Sequence, residues 1–191
     1  AKDEVNKISE LIELGLKIAD AVITTGGTSV GGLDLVSEAI NKLGNPGVIV
    51  HGVAIRPAMP TVLAAIERKP VLALSGNPTA AITGFEVFAR PLICKLLGMN
   101  QEEKRPTIKA VLTRRISTPL GKKNYVRVKV FQKNDDFYAD PIAHHSASTL
   151  SSITKANGYV IVPENRESLM EGIAVTVHLF GNIEITTNPN K

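Results

Sequence analysis

The stretch VITTGGTSVGGLDLV, residues 22–36, joins a short apolar run to four glycines within seven positions, followed by an acid. This pattern predicts a buried strand, a loop and a helix. Glycines tolerate positive φ and let backbone N–H groups approach a phosphate, while the helix start adds positive dipole charge. The candidate phosphate-binding residues of this loop are Gly26, Gly27, Thr28, Ser29 and Gly31.

Asp34 stands at the end of this loop, where a carboxylate would repel a bound phosphate. A divalent cation between them removes the repulsion, and Mg²⁺ is commonly held by one or two carboxylates together with substrate phosphates. The alternative is that Asp34 only caps the following helix. The residues leave both interpretations open.

The first half of the chain alternates strand and helix patterns. We expect helices over 3–19, with Asp3 as N-cap, and over 34–43, and strands at 21–24 and 48–54. Two extended runs, TVLAAI and VLALSG, are separated by a polar turn. A long helix should begin near Pro78, kink at Pro91 and bury an apolar face. Its expected inward residues are Ala81, Ile82, Phe85, Phe88, Ala89, Leu92, Ile93 and Leu96.

This alternation predicts an α/β fold with a largely parallel sheet between helices on both faces, which is a three-layer α/β/α arrangement. Beyond residues 98–106 the pattern changes to short strands such as YVRVKVF, in which apolar residues alternate with polar ones. We therefore expect an α/β domain over 1–103 and a small all-β domain over 104–191.

Composition excludes several classes of protein. The net charge of +4 is dispersed, aromatic residues make up 4% and Trp is absent, so no basic and aromatic surface for nucleic acid is expected. No apolar run is long enough for a membrane span. The single cysteine, Cys94, excludes an internal disulfide and fits a cytoplasmic location as a core thiol. The start AKDEVNKISE lacks a signal pattern and an initiator Met, so we expect a fragment of a longer chain.

Two further loops follow predicted strands. IRPAMPT supplies Arg56, whose planar guanidinium suits oxyanions, and LSGNPTAA supplies Gly76, Asn77 as a helix cap and Pro78 in the first helical turn. Ligands of open α/β sheets bind beyond the carboxyl ends of strands. We therefore expect Asp34, Arg56 and Asn77 to meet at one edge of the sheet.

Taken in order, DAVITTGGTSVGGLD, HGVAIRPAMPT, LSGNPTAA and the tail TLSSITKANGYVIVPE resemble the MoeA-type molybdopterin molybdenumtransferases. The resemblance implies insertion of molybdate into adenylylated molybdopterin with release of AMP, assisted by Mg²⁺. It also implies a MogA-like pterin-binding domain followed by a C-terminal β-barrel, a homodimer, and hand-over of substrate from a molybdopterin adenylyltransferase. Neither nucleic acid nor membrane is an implied partner.

The resemblance also assigns roles to residues. Asp34 would be catalytic and hold the metal, Arg56 and Ser75 would bind molybdate, and Gly76, Asn77 and Pro78 would join the first loop around the pterin phosphate. Three positions depart from the family pattern. Pro57-Ala58-Met59-Pro60 lacks a customary lysine, Ser75 replaces a proline, and Ala147 stands where a serine is usual. An earlier acid-bearing strand and loop of the family is absent, so the chain alone is expected to be incomplete for catalysis.

Two other functions stay open: adenylyl transfer to molybdopterin, and a non-catalytic dimerising scaffold. His51 is a strand-end histidine or lines the site. His144-His145 suggests a metal site, but no third ligand lies at a suitable spacing. Lys122 and Lys123 form a solvated turn or face the ligand.

Overall fold

A computed structural model describes residues 2–28, 34–99, 104–142 and 150–186. The chain divides into two compact units, one formed by Ala1–Val53 with Pro57–Glu103 and the other by Ala54–Arg56 with Lys104–Lys191. No helix among the described residues is both long and apolar enough to cross a bilayer.

The elements up to residue 99 follow the predicted alternation. In chain order they are α1 (Val5–Ile18), β1 (Val22–Thr25), α2 (Leu35–Leu43), β2 (Pro46–His51), β3 (Ile55–Arg56, which belongs to the second unit), β4 (Val62–Ile66), β5 (Lys69–Leu74), α3 (Pro78–Gly84), a π-helical segment (Phe85–Ala89) and α4 (Arg90–Leu96). The predicted N-cap Asp3 is wrong by one residue. Glu4 occupies the cap position, and its side chain makes no capping bond.

The first unit contains a four-stranded sheet in the order β1-β5-β4-β2. Only β1 and β5 are parallel, because β4 runs antiparallel to both β5 and β2. The α/β class is confirmed, but the expectation of a mostly parallel sheet is wrong for these strands. The physical reason is the connection between β4 and β5. Glu67 and Arg68 adopt φ of 47° and 69°, as a tight two-residue hairpin requires.

Helices cover both faces of this sheet, as the three-layer prediction requires. On one face α1 and α2 pack against β4 and β5. The buried residues of this core are Ile8, Ile12, Val36, Ala39, Ile40, Val62, Ala64, Ile66, Val71 and Ala73. On the other face α3 lies close to β5, since a Cβ added to Gly84 would stand 3.0 Å from Cδ2 of Leu74.

The long helix predicted after Pro78 is interrupted by the π-helical segment. The Arg90 N–H bonds to the Phe85 carbonyl five residues back. Pro91 has no N–H, and its ring crowds the carbonyl four residues earlier, so the wider turn relieves the clash. The extra residue rotates the faces of the helix beyond it, whereas the predicted inward face is already wrong at Ile82 before it. Ile82, Phe85, Ile93 and Leu96 are exposed, contrary to prediction, and the buried positions are Thr79, Ala80, Thr83, Gly84, Ala89 and Cys94.

The second unit is a β-barrel. Its further elements are β6 (Thr107–Leu112), β7 (Ile116–Ser117), β8 (Lys123–Lys133), β9 (Asp136–Pro141), α5 (Leu150–Lys155), β10 (Gly158–Val162), β11 (Ser168–Leu169), β12 (Ala174–Leu179) and β13 (Glu184–Thr186). Pairing runs β8–β9–β6–β12–β10 and returns to β8, which closes five strands. The expected barrel is therefore confirmed. Alternate residues of the long strand fill its interior, including Val126, Val128 and Val130.

The buried Asn157 side chain fixes one side of the barrel. Its Nδ2 donates to the carbonyls of Val130 and Asn182, both at 2.8 Å, and its Oδ1 accepts the Val130 N–H at 2.6 Å. Three hydrogen bonds satisfy an amide that is almost completely buried. This residue links β8 to the segment preceding β13.

Candidate functional site

The strand register of the first unit brings three loops to one edge of its sheet. Thr25 at the end of β1 lies opposite Leu74 at the end of β5. Ala73 lies opposite Val62, where β4 begins, and Val62 lies opposite His51, where β2 ends. The segments that begin at residues 26, 52 and 75 therefore leave the sheet at the same edge, as predicted for a ligand site.

Two of these loops touch through glycines. Gly26 and Gly27 have φ of 86° and 71°, which side chains rarely adopt. A Cβ added to Gly76 would stand 3.3 Å from the Cα of Gly26, so the two loops approach backbone to backbone. A Cβ on Gly27 would stand 2.7 Å from Cγ2 of Val36 in the first turn of α2. Conformation favours glycine at 26, close approach favours it at 76, and both apply at 27.

The glycine loop combines satisfied and open donors. The Gly26 N–H donates to the Leu74 carbonyl at 3.0 Å, and the buried Thr28 hydroxyl points to the same carbonyl at 3.5 Å. Within the described ranges, the backbone N–H groups of Gly27 and Gly76 donate to no protein acceptor. Backbone N–H groups without a protein acceptor are suited to binding an anion, and these two lie on adjoining loops. The predicted ligand residues Ser29 and Gly31 lie outside the described residues.

Asn77 caps α3, as predicted. Its Oδ1 accepts the N–H groups of Thr79 at 3.0 Å and Ala80 at 3.3 Å, and Pro78 occupies the first helical turn. Ser75 is buried, and its Oγ accepts the Asn77 N–H at 3.2 Å. The Ser75 hydroxyl therefore stabilises the loop, and its assigned contact with molybdate stays a prediction.

Asp34 caps α2, so the capping interpretation is correct. Its Oδ1 accepts the Ser37 N–H at 2.9 Å, and its Oδ2 accepts the Ser37 hydroxyl at 2.8 Å. The side chain is 10% exposed. Capping does not exclude contact with a ligand, because each carboxylate oxygen offers two lone pairs.

His51, which the sequence left as a strand-end histidine or a residue lining the site, is a partner of Asp34, and this contact was not predicted. Its Nε2 lies 2.6 Å from Asp34 Oδ2, while half of the His51 side chain is exposed. Seventeen residues separate the two in sequence, and spacing alone gave no signal. The position of His51 at the end of β2 could have indicated the pair, since that strand ends at the edge where α2 begins.

A pocket of about 450 Å³ opens beside the glycine loop. It lies between α1 and β1, the outer strand of the sheet. Its lining residues are Lys2, Asp3, Ile8, Leu11, Ile12, Val22, Ile23, Thr24, Thr25, Gly26, Gly27 and Val36. Thr24 Oγ1 is buried there without a hydrogen-bond partner in the described part of the chain. The pocket offers a partly apolar space next to the open N–H groups.

The sequence predicted Arg56 in a loop of the α/β sheet, and this prediction is wrong. It lies in β3, which pairs in parallel with β8 of the barrel unit, with Arg56 opposite Asn124. Asp34 and Asn77 thus share a unit and a sheet edge, whereas Arg56 belongs to the other unit. Its contact with molybdate stays a prediction.

The loop after β3 returns to the first unit in a strained conformation. Ala58 has φ of 126° and is buried. Its carbonyl accepts the Thr61 hydroxyl at 2.7 Å and the Thr61 N–H at 3.1 Å. Alanine stands here in a conformation that favours glycine.

The carboxylate oxygens of Asp34 fit a Mg²⁺ ion that is held by a single carboxylate. Asp34 Oδ2 already accepts two hydrogen bonds, whereas Oδ1 accepts one and keeps a lone pair. No group of three His, Cys, Asp or Glu suited to a metal exists among the described residues. Mg²⁺ usually keeps several waters and shares substrate phosphates, so one carboxylate suffices.

The remaining candidates give little support for other sites. His144-His145 and Ala147 lie outside the described residues. Cys94 is a buried free thiol, as predicted. Lys123 begins β8 and its N–H donates to the Ala54 carbonyl at 2.9 Å, and no ligand contact is assigned to it or to Lys122.

Comparison with known families matches both units. Residues 1–95 match the model described as "Probable molybdopterin binding domain", and residues 109–180 match "MoeA C-terminal region (domain IV)". A Methanocaldococcus jannaschii protein named for molybdopterin biosynthesis is 38% identical over 179 residues, covering 94% of this chain and 41% of its own length. The molybdopterin molybdenumtransferase of Bacillus subtilis is 33% identical over 178 residues, with 93% and 41% covered.

Comparison with solved structures also matches the chain to a protein of molybdopterin biosynthesis. A molybdopterin biosynthesis MoeA protein from Pyrococcus horikosii superposes with a TM-score of 0.76 at 33% identity, covering 94% of this chain and 42% of that one. The chain spans about two fifths of the length of the curated relatives it matches.

Proposed function

Because the chain belongs to the MoeA-type molybdopterin molybdenumtransferase family, we propose that it takes part in molybdenum cofactor biosynthesis as a transferase. The proposed reaction inserts molybdate into adenylylated molybdopterin and releases AMP. The observation that carries the proposal is the contact between the Gly26 and Gly76 loops at the sheet edge where Asp34 caps α2.

The proposed ligand-binding group is the set of open backbone donors on these loops. The N–H groups of Gly27 and Gly76 would hold a phosphate of the pterin, and the start of α2 would add dipole charge. Their positions are fixed before the ligand arrives, because the Leu74 carbonyl and the Asn77 cap hold the loops. Such donors bind developing negative charge without reorganisation.

Asp34 is the proposed ligand of Mg²⁺, through Oδ1. When bound, the cation would neutralise phosphate charge beside the carboxylate. Arg56 is proposed as a cation for molybdate, a tetrahedral dianion that suits a guanidinium fork. Within the described residues no hydrogen bond or ion pair engages the Arg56 guanidinium, and the residue is exposed. Its charge is therefore open to an anion.

Isothermal titration calorimetry tests the function. The protein is titrated with molybdopterin-AMP, with and without molybdate and Mg²⁺, and with AMP alone as a control ligand. We expect binding that requires the pterin and strengthens when Mg²⁺ is present. An absence of molybdopterin-AMP binding by folded protein would contradict the proposal and favour the scaffold.

A second titration, with molybdopterin and ATP, together with assays of released pyrophosphate and AMP, separates the adenylyl-transfer alternative. An adenylylating enzyme would bind molybdopterin and ATP and would release pyrophosphate, whereas the proposed enzyme releases AMP in the presence of molybdate. The match of residues 109–180 to the MoeA C-terminal region favours molybdate insertion.

Three further expectations complete the proposal: a homodimer, a cytoplasmic location, and hand-over of adenylylated substrate from a separate adenylyltransferase. Size-exclusion chromatography with light scattering tests the first. A mass near twice 20.4 kDa is expected, and a mass near 20.4 kDa would contradict it.

A further inference from the structure

Asp34 and His51 form a pair that the proposed function does not yet use. The Nε2 atom of His51 lies 2.6 Å from Oδ2 of Asp34, which is a short distance for a hydrogen bond to a carboxylate. Asp34 is fixed at the start of α2, and His51 ends β2 at the ligand edge of the sheet. Two separate elements therefore hold one carboxylate.

Counting acceptor positions shows what His51 changes. Oδ2 accepts two hydrogen bonds, from the Ser37 hydroxyl at 2.8 Å and from His51. Oδ1 accepts one, from the Ser37 N–H at 2.9 Å. With about two lone pairs on each oxygen, only Oδ1 has room for another partner. Without His51 both oxygens would be open, and Ser37 alone would orient the group.

We propose that His51 is a positioning residue for Asp34. Its Nε2–H donates to Oδ2 and saturates that oxygen, so that a cation or a ligand donor meets Asp34 through Oδ1 alone. This inference rests on the proposed function for the identity of the ligand. The hydrogen bond between His51 and Asp34 does not depend on any ligand. His51 acts through Asp34 and does not have to touch substrate.

Two amide substitutions separate this role from direct contact. The side-chain amide nitrogen of glutamine can occupy the position of the histidine Nε2 atom. The side chain of asparagine is shorter, and its amide nitrogen occupies the position of Nδ1. His51→Gln thus keeps a donor to Asp34, and His51→Asn loses it. The readout is Mn²⁺ affinity, as a stand-in for Mg²⁺, measured by electron paramagnetic resonance in the presence of molybdopterin.

We expect Mn²⁺ to bind about tenfold more weakly to His51→Asn and less than about threefold more weakly to His51→Gln, because a metal-binding carboxylate that loses its orienting hydrogen bond typically loses about tenfold or more in metal affinity. Pterin binding without the cation should change little in both. Weak binding by the Gln variant with parental binding by the Asn variant would assign the role to Nδ1 and overturn the proposal. Parental binding by both would also overturn it.

A second measurement tests the bond without any ligand. Ring ¹⁵N shifts of histidines report which nitrogen carries the proton. We expect His51 to be protonated at Nε2, and Asp34→Asn to change the His51 ring shifts but not those of His178. Unchanged His51 shifts would contradict the proposal. If the parent protein bound no molybdopterin, the proposed function would fail, and this measurement would still decide the role of His51.

His178→Gln is the matched control for histidine replacement, since His178 lies in the barrel unit, stacked on Tyr159. It should leave Mn²⁺ affinity at the parental value. Thermal unfolding of all variants establishes that affinity is compared among folded proteins.

Discussion

Asp34 has the capping role, and its geometry leaves room for the proposed metal role that the sequence presented as the alternative. Its carboxylate caps α2 through both Ser37 donors and still keeps an open lone pair on Oδ1. The sequence predicted the cap because acids and amides are favoured before a helix. It named His51 as a strand-end histidine or a residue lining the site but did not predict its contact with Asp34, which depends on where β2 ends relative to α2.

Replacing Asp34 separates capping from ligand chemistry. Asparagine caps helices about as well as aspartate, so Asp34→Asn should change the free energy of unfolding by less than about 1 kcal/mol, while Asp34→Ala should lower it by about 1 kcal/mol or more. In the longer assembly that carries the complete activity, Asp34→Asn should also abolish Mg²⁺-dependent AMP release while largely sparing pterin binding. Urea unfolding and an AMP assay measure these effects. Parental AMP release by Asp34→Asn would reduce Asp34 to a helix cap.

Ala58 carries backbone strain that a substitution can relieve. A φ of 126° is an unfavourable backbone conformation for a residue with a Cβ, and backbone strain of this kind costs about 1–3 kcal/mol. Ala58→Gly removes the strain and loses one buried methyl group worth about 0.8 kcal/mol. We expect a net gain of about 1 kcal/mol in the free energy of unfolding, measured by urea denaturation. A loss of more than about 1 kcal/mol would show that methyl packing dominates.

At the scale of elements, the two glycine loops depend on each other. Gly76→Ala would place a Cβ 3.3 Å from the Gly26 Cα, so the Gly26 loop must shift by a few tenths of an ångström. We expect molybdopterin to bind about tenfold more weakly, because the open N–H groups lose their alignment. Stability should fall by less than about 1 kcal/mol.

Gly172→Ala is the matched control for Gly76→Ala. Gly172 has φ of 80° in open space within the barrel unit, so alanine there should lower stability by about 1 kcal/mol without changing ligand affinity. Calorimetry and thermal unfolding of both variants give the comparison. Equal ligand affinity in the two variants would show that the contact between the loops is not needed for binding.

The outer face of the barrel contains a histidine whose charge opposes folding. Burial lowers the pKa of His178 below its ordinary 6.5, and its ring stacks on Tyr159 with centroids 5.1 Å apart. The folded state therefore binds fewer protons than the unfolded state, and stability falls as pH drops through about 6.5 toward the lower folded pKa. His178→Gln should reduce this loss. Urea unfolding near pH 8 and near pH 5 measures it. An equal pH dependence of the free energy of unfolding in the parent protein and in His178→Gln would contradict the expectation.

Most of the helices and strands were predictable from the sequence, and the predictions that were wrong have local causes. TIKAVL, GYVIVP and the other alternating runs became barrel strands because their periodicity matches one buried face. The strand directions of the first sheet were not predictable in the same way. They follow from the positive φ of Glu67 and Arg68, neither of which is a typical hairpin-turn residue. The predicted inward face of the helix after Pro78 is wrong at Ile82, before the π turn, and the rotation caused by that turn accounts only for the exposed Ile93 and Leu96 beyond it.

At the scale of the whole molecule, the order of motifs carried more information than any single motif. The glycine loop and the GNP loop meet because the parallel pair β1 and β5 ends at one edge. Arg56 could not be placed from the sequence, since a two-residue strand pairing with a distant barrel strand leaves no periodic signal. The chain spans about two fifths of its relatives' length, so the complete activity is a proposal for the longer assembly.

The central claim is that adjoining glycine loops at this sheet edge bind the phosphate of a pterin. Titration of ¹⁵N-labelled protein with molybdopterin, followed by amide chemical shifts, tests it most directly. We predict saturable shifts at the amides of Gly26, Gly27 and Gly76, and in Gly76→Ala the shifts of Gly26 and Gly27 should need about tenfold more ligand to saturate. Saturable binding that leaves these three amides unchanged would contradict the account.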